Sequence, residues 1–280
     1  MPPAEVLGSR RGPVGLALAT GRDLLAAAGC DTPGLDAELL LAEVLGVGRA
    51  RLVIDRGEML PEAAWARFAS LLARREAREP VAYILGRRAF RRLELAVDRR
   101  VLIPRPETEL LVEVGLELDR GASVVDVGTG SGAVALALKD ERADLHMRGI
   151  DVSADALEVA RGNAVALGLD VTFLRGDLLE GVPPADAVLA NLPYVAEGAA
   201  LPPEITRYEP AGALFAGADG LEVIRRLVFL VAGPTVALLA LEIAPEQAVE
   251  VERLLGDAGF GTVGMRRDLA GLERVVVGTA

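Results

Sequence analysis

Apolar residues recur at helical spacing over the first quarter of the chain. Val14 to Ala28 carries them at that interval. Asp31 and Thr32 can cap a second helix that starts near Pro33 and carries Leu39, Leu40, Leu41, Val44 and Leu45. Pro61 suits the first turn of a third helix running to about Ala77, with Trp65, Phe68, Leu71 and Leu72 on one face. These segments predict a small helical bundle over residues 1–78, with Trp65 in its core. The period then shortens to two. Leu93, Leu95 and Val97 alternate with Glu94, Ala96 and Asp98, as in a half-buried strand, and Phe90 and Val101 to Ile103 flank them. Residues 79–105 therefore read as a β-hairpin connector that ends in the stiff turn Pro104-Arg105-Pro106.

From residue 106 helices and strands alternate. Helices are expected over Glu107 to Asp119, Ser131 to Lys139, Ala154 to Leu167, Leu221 to Val231 and Pro245 to Ala258. Strands are expected over Ser123 to Val127, Leu145 to Asp151, Val171 to Leu174, Ala185 to Ala190 and Thr235 to Ile243, with two more before Val277. Such alternation predicts an α/β domain over residues 106–280, built on a mostly parallel sheet of seven strands with helices on both faces.

Composition narrows the function. The chain has one cysteine and one histidine among 280 residues. A disulfide within the chain is impossible, and no metal site built from Cys and His is expected. A Ser-His or Cys-His pair would have to use His146, which reads as a structural residue of a strand. Cys30 reads as a small buried residue. No apolar stretch approaches the roughly 18 residues of a membrane span, and Met1 to Gly12 holds no apolar run like that of a secretion signal. A cytoplasmic protein is expected. The net charge is 30 − 41 = −11, which disfavours non-specific binding of nucleic acid. Arg74 to Arg105 nevertheless holds ten arginines against four acids, a local +6. That run is either a solvated face or a docking surface for an acidic macromolecule.

Two segments carry candidate chemistry. In Val124 to Ala133 an apolar strand runs into Gly128-Thr129-Gly130-Ser131-Gly132 and then a helix. Glycine lets the backbone turn sharply and lets a ligand approach it, and ligands of such sheets sit beyond the carboxyl ends of the strands. Asp151, nineteen residues past Gly132, ends the next strand and can accept from both hydroxyls of a ribose. The glycine pattern also satisfies the loose dinucleotide fingerprint, so a nicotinamide oxidoreductase stays open on this segment alone. Asp126, two residues before the first glycine, completes Asp-x-Gly-x-Gly-x-Gly. That pattern resembles motif I of the Rossmann-like methyltransferases, which implies S-adenosylmethionine as cofactor and an acid near its methionine end. The second segment is Asn191-Leu192-Pro193-Tyr194, at the end of the fourth strand. It resembles the Asn-Pro-Pro-Tyr motif of methyltransferases that act on an NH2 borne by a planar carbon. Such a nitrogen is a weak nucleophile because its lone pair is delocalised. Two acceptors, the Asn191 side-chain carbonyl and the Leu192 backbone carbonyl, can hold its two N–H groups, and Tyr194 offers a flat surface beside it. Leu192 replaces the commoner proline, which moves the second acceptor to the backbone. The variant also resembles ribosomal-RNA adenine dimethyltransferases, so an adenine-N6 methyltransferase stays open.

Glu79 to Gly86, Phe90 and the run from Val101 to Glu109 resemble one family closely: the peptide chain release factor glutamine N5-methyltransferases (HemK-type). Glu209-Pro210, Ala213 to Leu221 and Leu241-Glu242-Ile243 resemble it too, so the likeness spans about residues 35 to 280. It implies a helical domain that helps recognise a release factor, followed by a domain that methylates the glutamine of its Gly-Gly-Gln loop, a step in translation termination. By the same likeness Asp126, Gly128 to Gly132, Asp151, Asp177, Leu178 and Asn191 contact S-adenosylmethionine. Asn191 to Tyr194 hold the acceptor amide, and Arg105, Glu107 and Thr108 organise the wall of the site. Release factors are the implied partners, and no stable nucleic-acid complex is expected. A non-catalytic binding module would leave Asn191 to Tyr194 without a role.

Overall fold

The computed structural model describes residues 12–232 and 236–280. The chain forms two compact units. One comprises residues 12–86 together with Pro202–Tyr208; the other comprises Arg87–Leu201 and Glu209–Ala280. The hairpin strands thus fall in the second unit, and residues 79–86 of the expected connector in the first.

The first unit is a helical bundle: α1 (Val14–Ala27), α2 (Pro33–Leu45), α3 (Arg49–Ile54), α4 (Glu62–Glu76) and α5 (Val81–Leu85). Leu25, Leu40, Leu41, Leu52, Trp65, Phe68 and Leu72 form its core, each burial worth roughly 2 kcal/mol. Cys30 is buried there too. Helix α2 stops at Gly46, whose φ of +64° closes the last turn. The short helices α3 and α5 escape a reading by period, because five or six residues do not repeat a 3.6-residue pattern. The segment Pro203–Tyr208 (α9, counted in chain order) joins this unit through Glu204. Arg75 Nη1 lies 3.0 Å and Arg78 Nε 2.6 Å from the Glu204 carboxylate, and Arg75 Nε lies 2.7 Å from Asp36.

The second unit begins with the hairpin β1 (Arg87–Phe90) and β2 (Leu93–Ala96), paired antiparallel with Phe90 opposite Leu93. It continues with α6 (Glu109–Leu116), β3 (Ser123–Val127), α7 (Ala133–Glu141), β4 (His146–Asp151), α8 (Ala154–Leu167), β5 (Thr172–Arg175) and β6 (Ala187–Ala190). After α9 come α10 (Glu222–Leu230), β7 (Leu238–Glu242), α11 (Ala248–Asp257), β8 (Thr262–Arg267) and β9 (Glu273–Thr279). Seven strands form one sheet in the order β5-β4-β3-β6-β7-β9-β8. Strands β3 to β7 are parallel, and the β9 and β8 pairings are antiparallel. The alternation of β3 splits the core. Val124 faces a cluster with α6, α7 and α8, whereas Val125 and Val127 face a cluster with α10 and α11.

Several boundaries differ from those read off the sequence. The helix expected from Ser131 starts at Ala133, because Gly128, Gly130 and Gly132 all take positive φ and delay it. The helices expected from Glu107 and Pro245 open as single 3-10 turns, Pro106–Thr108 and Pro245–Gln247, before α6 and α11 begin. Thr235, the expected first residue of a strand, lies outside the described residues; β7 starts at Leu238. The chain proceeds from β3 outward to β5 and then crosses back to place β6 on the other side of β3. The crevice for a ligand in such a sheet opens where this direction reverses, at the carboxyl ends of β3 and β6. His146 begins β4 and is exposed at the opposite edge, away from that crevice.

Candidate active site

A cavity of about 480 Å³ opens at that crevice, within the range that holds a small-molecule ligand. Its wall includes Asp126, Gly128 to Ser131, Asp151, Asp177, Leu178, Asn191, Leu192 and Pro193. All come from the second unit. The structure therefore gathers most of the site residues read from the sequence, Thr108 among them; Gly132, Tyr194, Arg105 and Glu107 lie outside the wall.

The glycine turn is shaped by its neighbours. The Gly128 and Thr129 N–H groups both donate to Ile150 O, at 2.8 and 2.9 Å, which folds the turn back over β4. A Cβ on Gly128 would lie 3.2 Å from the Asn191 carbonyl and 3.2 Å from the Leu192 side chain. Glycine here lets the β3 and β6 termini approach each other. A Cβ on Gly132 would press on Leu136 and Phe173 at 2.9 and 3.2 Å, so this glycine serves packing behind the cavity. Asn163, which sequence reasoning passed over, ties the turn down: its Nδ2 donates to Ser131 O at 2.9 Å and to Ala96 O at 3.1 Å. Position 163 reads as one more helical residue, so nothing in the pattern announces that role.

Two carboxylates face this turn. Asp151 accepts from the Gly130 N–H at 2.9 Å through Oδ2 and from the Ser153 N–H at 2.9 Å through Oδ1. Burial pushes its pKa up while those backbone donors pull it back. Each oxygen keeps a lone pair for a diol. Asp126 is 2% exposed. It accepts from Thr129 Oγ1 at 2.6 Å and from the Ala135 N–H at 3.2 Å. Burial raises its pKa to about 7. Leu178 is a non-glycine residue at φ +55° and lines the cavity beside Asp177. Asp177 pairs with Arg226 of α10 at 2.7 Å, so α10 also closes this side of the wall, with Val223. A strand-end Asp was legible; its partner 49 residues later was not.

Asn191 follows the last residue of β6. Its Nδ2 donates to Thr108 Oγ1 at 3.0 Å, which leaves Oδ1 as its open acceptor. No described residue donates to Asn191 Oδ1 or to the Leu192 carbonyl. Two unengaged acceptors therefore sit side by side in the wall. The Leu192 side chain is buried in the cluster on that face of the sheet. Tyr194 is placed differently from the flat platform expected of it. Its ring packs on the cluster beneath α10 and α11, and its hydroxyl donates to Glu242 Oε1 at 3.3 Å. Burial raises the Tyr194 pKa, and the Glu242 charge adds to that. Its backbone is braced: Gln247 Nε2 donates to Tyr194 O at 2.9 Å, and a Cβ on Gly220 would lie 2.2 Å from that carbonyl.

Of the residues expected to organise the wall, Thr108 bonds Asn191 and Arg105 pairs with Glu209. Glu209 is buried, pairs with Arg105 and accepts from the Ile103 N–H at 3.1 Å. The arginine-rich run is largely engaged within the protein. Arg74, Arg75, Arg78, Arg87, Arg91, Arg100 and Arg105 all form ion pairs.

The chain matches the PrmC N-terminal domain over residues 17–86 and the methyltransferase small domain over residues 106–207. It is 41% identical over 274 residues to the release factor glutamine methyltransferase of Rhodospirillum rubrum, covering 94% of this chain and 84% of that protein. It is 42% identical over 274 residues to that of Burkholderia pseudomallei, covering 91% of this chain and 94% of that protein. Among solved structures, the hMettl16 catalytic domain in complex with MAT2A 3'UTR hairpin 6 superposes with a TM-score of 0.57. It is 16% identical, and the match covers 75% of this chain and 81% of that one, a likeness of fold alone.

Proposed function

This chain belongs to the release factor glutamine methyltransferase family, and we propose that it methylates the side-chain amide nitrogen (N5) of the glutamine in the Gly-Gly-Gln loop of peptide chain release factors, using S-adenosylmethionine. On this reading it works in the cytoplasm and holds its protein substrate only for turnover. The observation that carries it is the pair of open acceptors at Asn191 Oδ1 and Leu192 O.

S-adenosylmethionine supplies a methyl carbon made electrophilic by its sulfonium charge. The cavity suits that molecule. Glycines clear room at the β3 turn, the Asp151 oxygens retain lone pairs for ribose hydroxyls, and the buried Asp126 provides an anion for the cationic methionine end. Asp177 and Leu178 fall to the adenine end, where Val152, Leu178 and Val223 give aliphatic rather than aromatic walls.

The rest is orientation. The two N–H groups of the glutamine amide donate to Asn191 Oδ1 and Leu192 O, which turns the nitrogen lone pair out of conjugation and toward the methyl donor. Pro193 restricts Leu192 to extended conformations and so steadies its carbonyl. Orientation of this kind lowers barriers by up to about 7–11 kcal/mol in ideal systems. The nitrogen becomes acidic once methylated, so its proton leaves to water without a strong base.

Labelled S-adenosylmethionine offered with a release factor, its Gln→Ala loop variant, duplex DNA and ribosomal RNA tests the assignment. Label is expected on the intact release factor alone; label on nucleic acid alone would sink the reading and favour adenine. In the same assay Asn191→Ala should lower kcat on the order of 100-fold or more, with cofactor affinity nearly unchanged. A parallel loss of cofactor binding would show that Asn191 serves the cofactor instead.

A further inference from the structure

The base end of the cavity has little with which to read a purine. None of the described residues that line the cavity is aromatic, so the adenine of the cofactor would meet the aliphatic surface of Val152, Leu178 and Val223 and find no ring to stack on. Aliphatic contact barely separates one purine from another. That distinction falls to polar groups, and most of those nearby are already engaged. Asp151 is given to the ribose hydroxyls. Ser153 Oγ accepts from the Ala156 N–H at 3.1 Å as the cap of α8. Arg100 donates to Asp98 at 2.7 Å and to Glu158 at 3.2 Å. Asp177 is the carboxylate that remains.

Only one of its two oxygens is taken. Oδ2 accepts from Arg226 Nη2 at 2.7 Å, and no described residue donates to Oδ1. Leu178, with its φ of +55° and its buried side chain, fixes the backbone of the turn. The Asp177 side chain is 45% exposed, and its own loop gives the carboxylate no hydrogen bond. Its rotamer is therefore set by whatever grips the carboxylate. Arg226 grips it from 49 positions away, and does so from a firm base. Helix α10 buries Ile224, Leu227 and Val228. Val223 and Arg226, three positions apart and so on one helix face, both line the cavity.

An ion pair this exposed adds little to stability. What it does is direct the other oxygen. We propose that Arg226 is a positioning residue that sets cofactor specificity: by fixing Oδ2 of Asp177 it aims Oδ1 at the adenine 6-amino group, and so lets the cavity select a 6-amino purine over a 6-oxo purine. A 6-amino group donates to a carboxylate oxygen, whereas a 6-oxo group turns a lone pair on it. The inference rests on placing Asp177 at the adenine end and on nothing about the methyl acceptor.

The experiment is titration calorimetry of S-adenosylhomocysteine and S-inosylhomocysteine with wild type, Arg226→Ala, Arg226→Lys, Asp177→Ala and the double variant D177A/R226A. Wild type should prefer the adenine compound about tenfold or more, and D177A should bring the two within about twofold. R226A should weaken the adenine compound about fivefold and leave the inosine compound within about twofold, so that the preference shrinks. R226K keeps the charge without the planar fork and should recover part of the preference. In the D177A background the loss of Arg226 should cost nothing further. Melting temperatures should stay close to that of wild type. R226A that weakens both compounds alike overturns the inference, because Arg226 would then act only on the fold of the wall. Additive losses in the double variant overturn it too, because Arg226 would then act without Asp177. If D177A keeps the wild-type preference, the placement of Asp177 falls and the inference with it; if D177A loses the preference and R226A keeps it, the inference alone falls. The labelling assay on the release factor decides the acceptor separately.

Discussion

Asp126 shows how one residue carries opposed demands. Its carboxyl is buried at the end of β3, and its proton is held to about pH 7 rather than 3.8. The folded protein thus binds that proton more tightly than the unfolded chain does. The stability it confers is full below about pH 3.8 and is lost as pH rises through about 7. At 1.36 kcal/mol per pH unit the ionised form is about 4 kcal/mol less favourable in the folded state than in the unfolded one. A buried anion beside a cavity is a sensible counter-charge only when a cation fills that cavity. Asp126→Asn should therefore raise the melting temperature of the ligand-free protein at pH 8 and weaken S-adenosylmethionine binding about tenfold. Titration calorimetry and thermal melts on the same samples check both halves. A variant that melts lower at pH 8, or binds cofactor as tightly as wild type, would refute this account of the charge.

At the scale of elements, the Asn191 corner is held from behind by residues whose importance no local pattern reveals. Gly220 stands at φ +75°, with the Tyr194 carbonyl 2.2 Å from where a Cβ would be. Gly220→Ala combines a left-handed backbone cost with a backbone clash. It should destabilise the protein by about 2 kcal/mol or more and lower turnover more than cofactor affinity. Thermal melts and kcat against Kd separate the two effects, and an unchanged melting temperature would mean the corner is not braced there. The strand and helix ends that make the cavity were legible because their signals are local: an apolar run into Gly128, and Asn191 after a strand. Tyr194 was legible as a motif letter but not in its placement. Its ring is half-buried against a cluster that residues of α10 and α11, both distant in sequence, help to build.

At the scale of the whole molecule, the helical first part and the α/β second part could be read from the change of period, yet one piece of the division could not. Pro203–Tyr208 lies between catalytic-unit segments in sequence but belongs to the bundle unit. Six residues carry no period, and the ties that place them, Asp36 to Arg75 to Glu204 to Arg78, span some 170 positions. The same ties explain why a run of arginines that invited a docking surface is largely engaged internally. Arg75 is 7% exposed at its side chain and is paired on both sides. Replacing Glu204 by Gln leaves Arg75 with Asp36 only and Arg78 without its carboxylate. Part of the pairing survives, so the loss should be about 2–3 kcal/mol rather than that of a buried ion left wholly alone. The cavity wall draws only on residues 87–201 and 209–280, so cofactor affinity should not change. What should change is the hold on the stretch that follows the Asn191 corner. Limited proteolysis of Glu204→Gln should cut between residues 196 and 210 faster than in wild type. The kcat/KM for the release factor should fall while S-adenosylmethionine Kd stays constant. Equal cleavage rates would mean that α9 is not held by Glu204. A weakened cofactor Kd would mean that the ion network supports the cavity, which its composition gives no reason to expect.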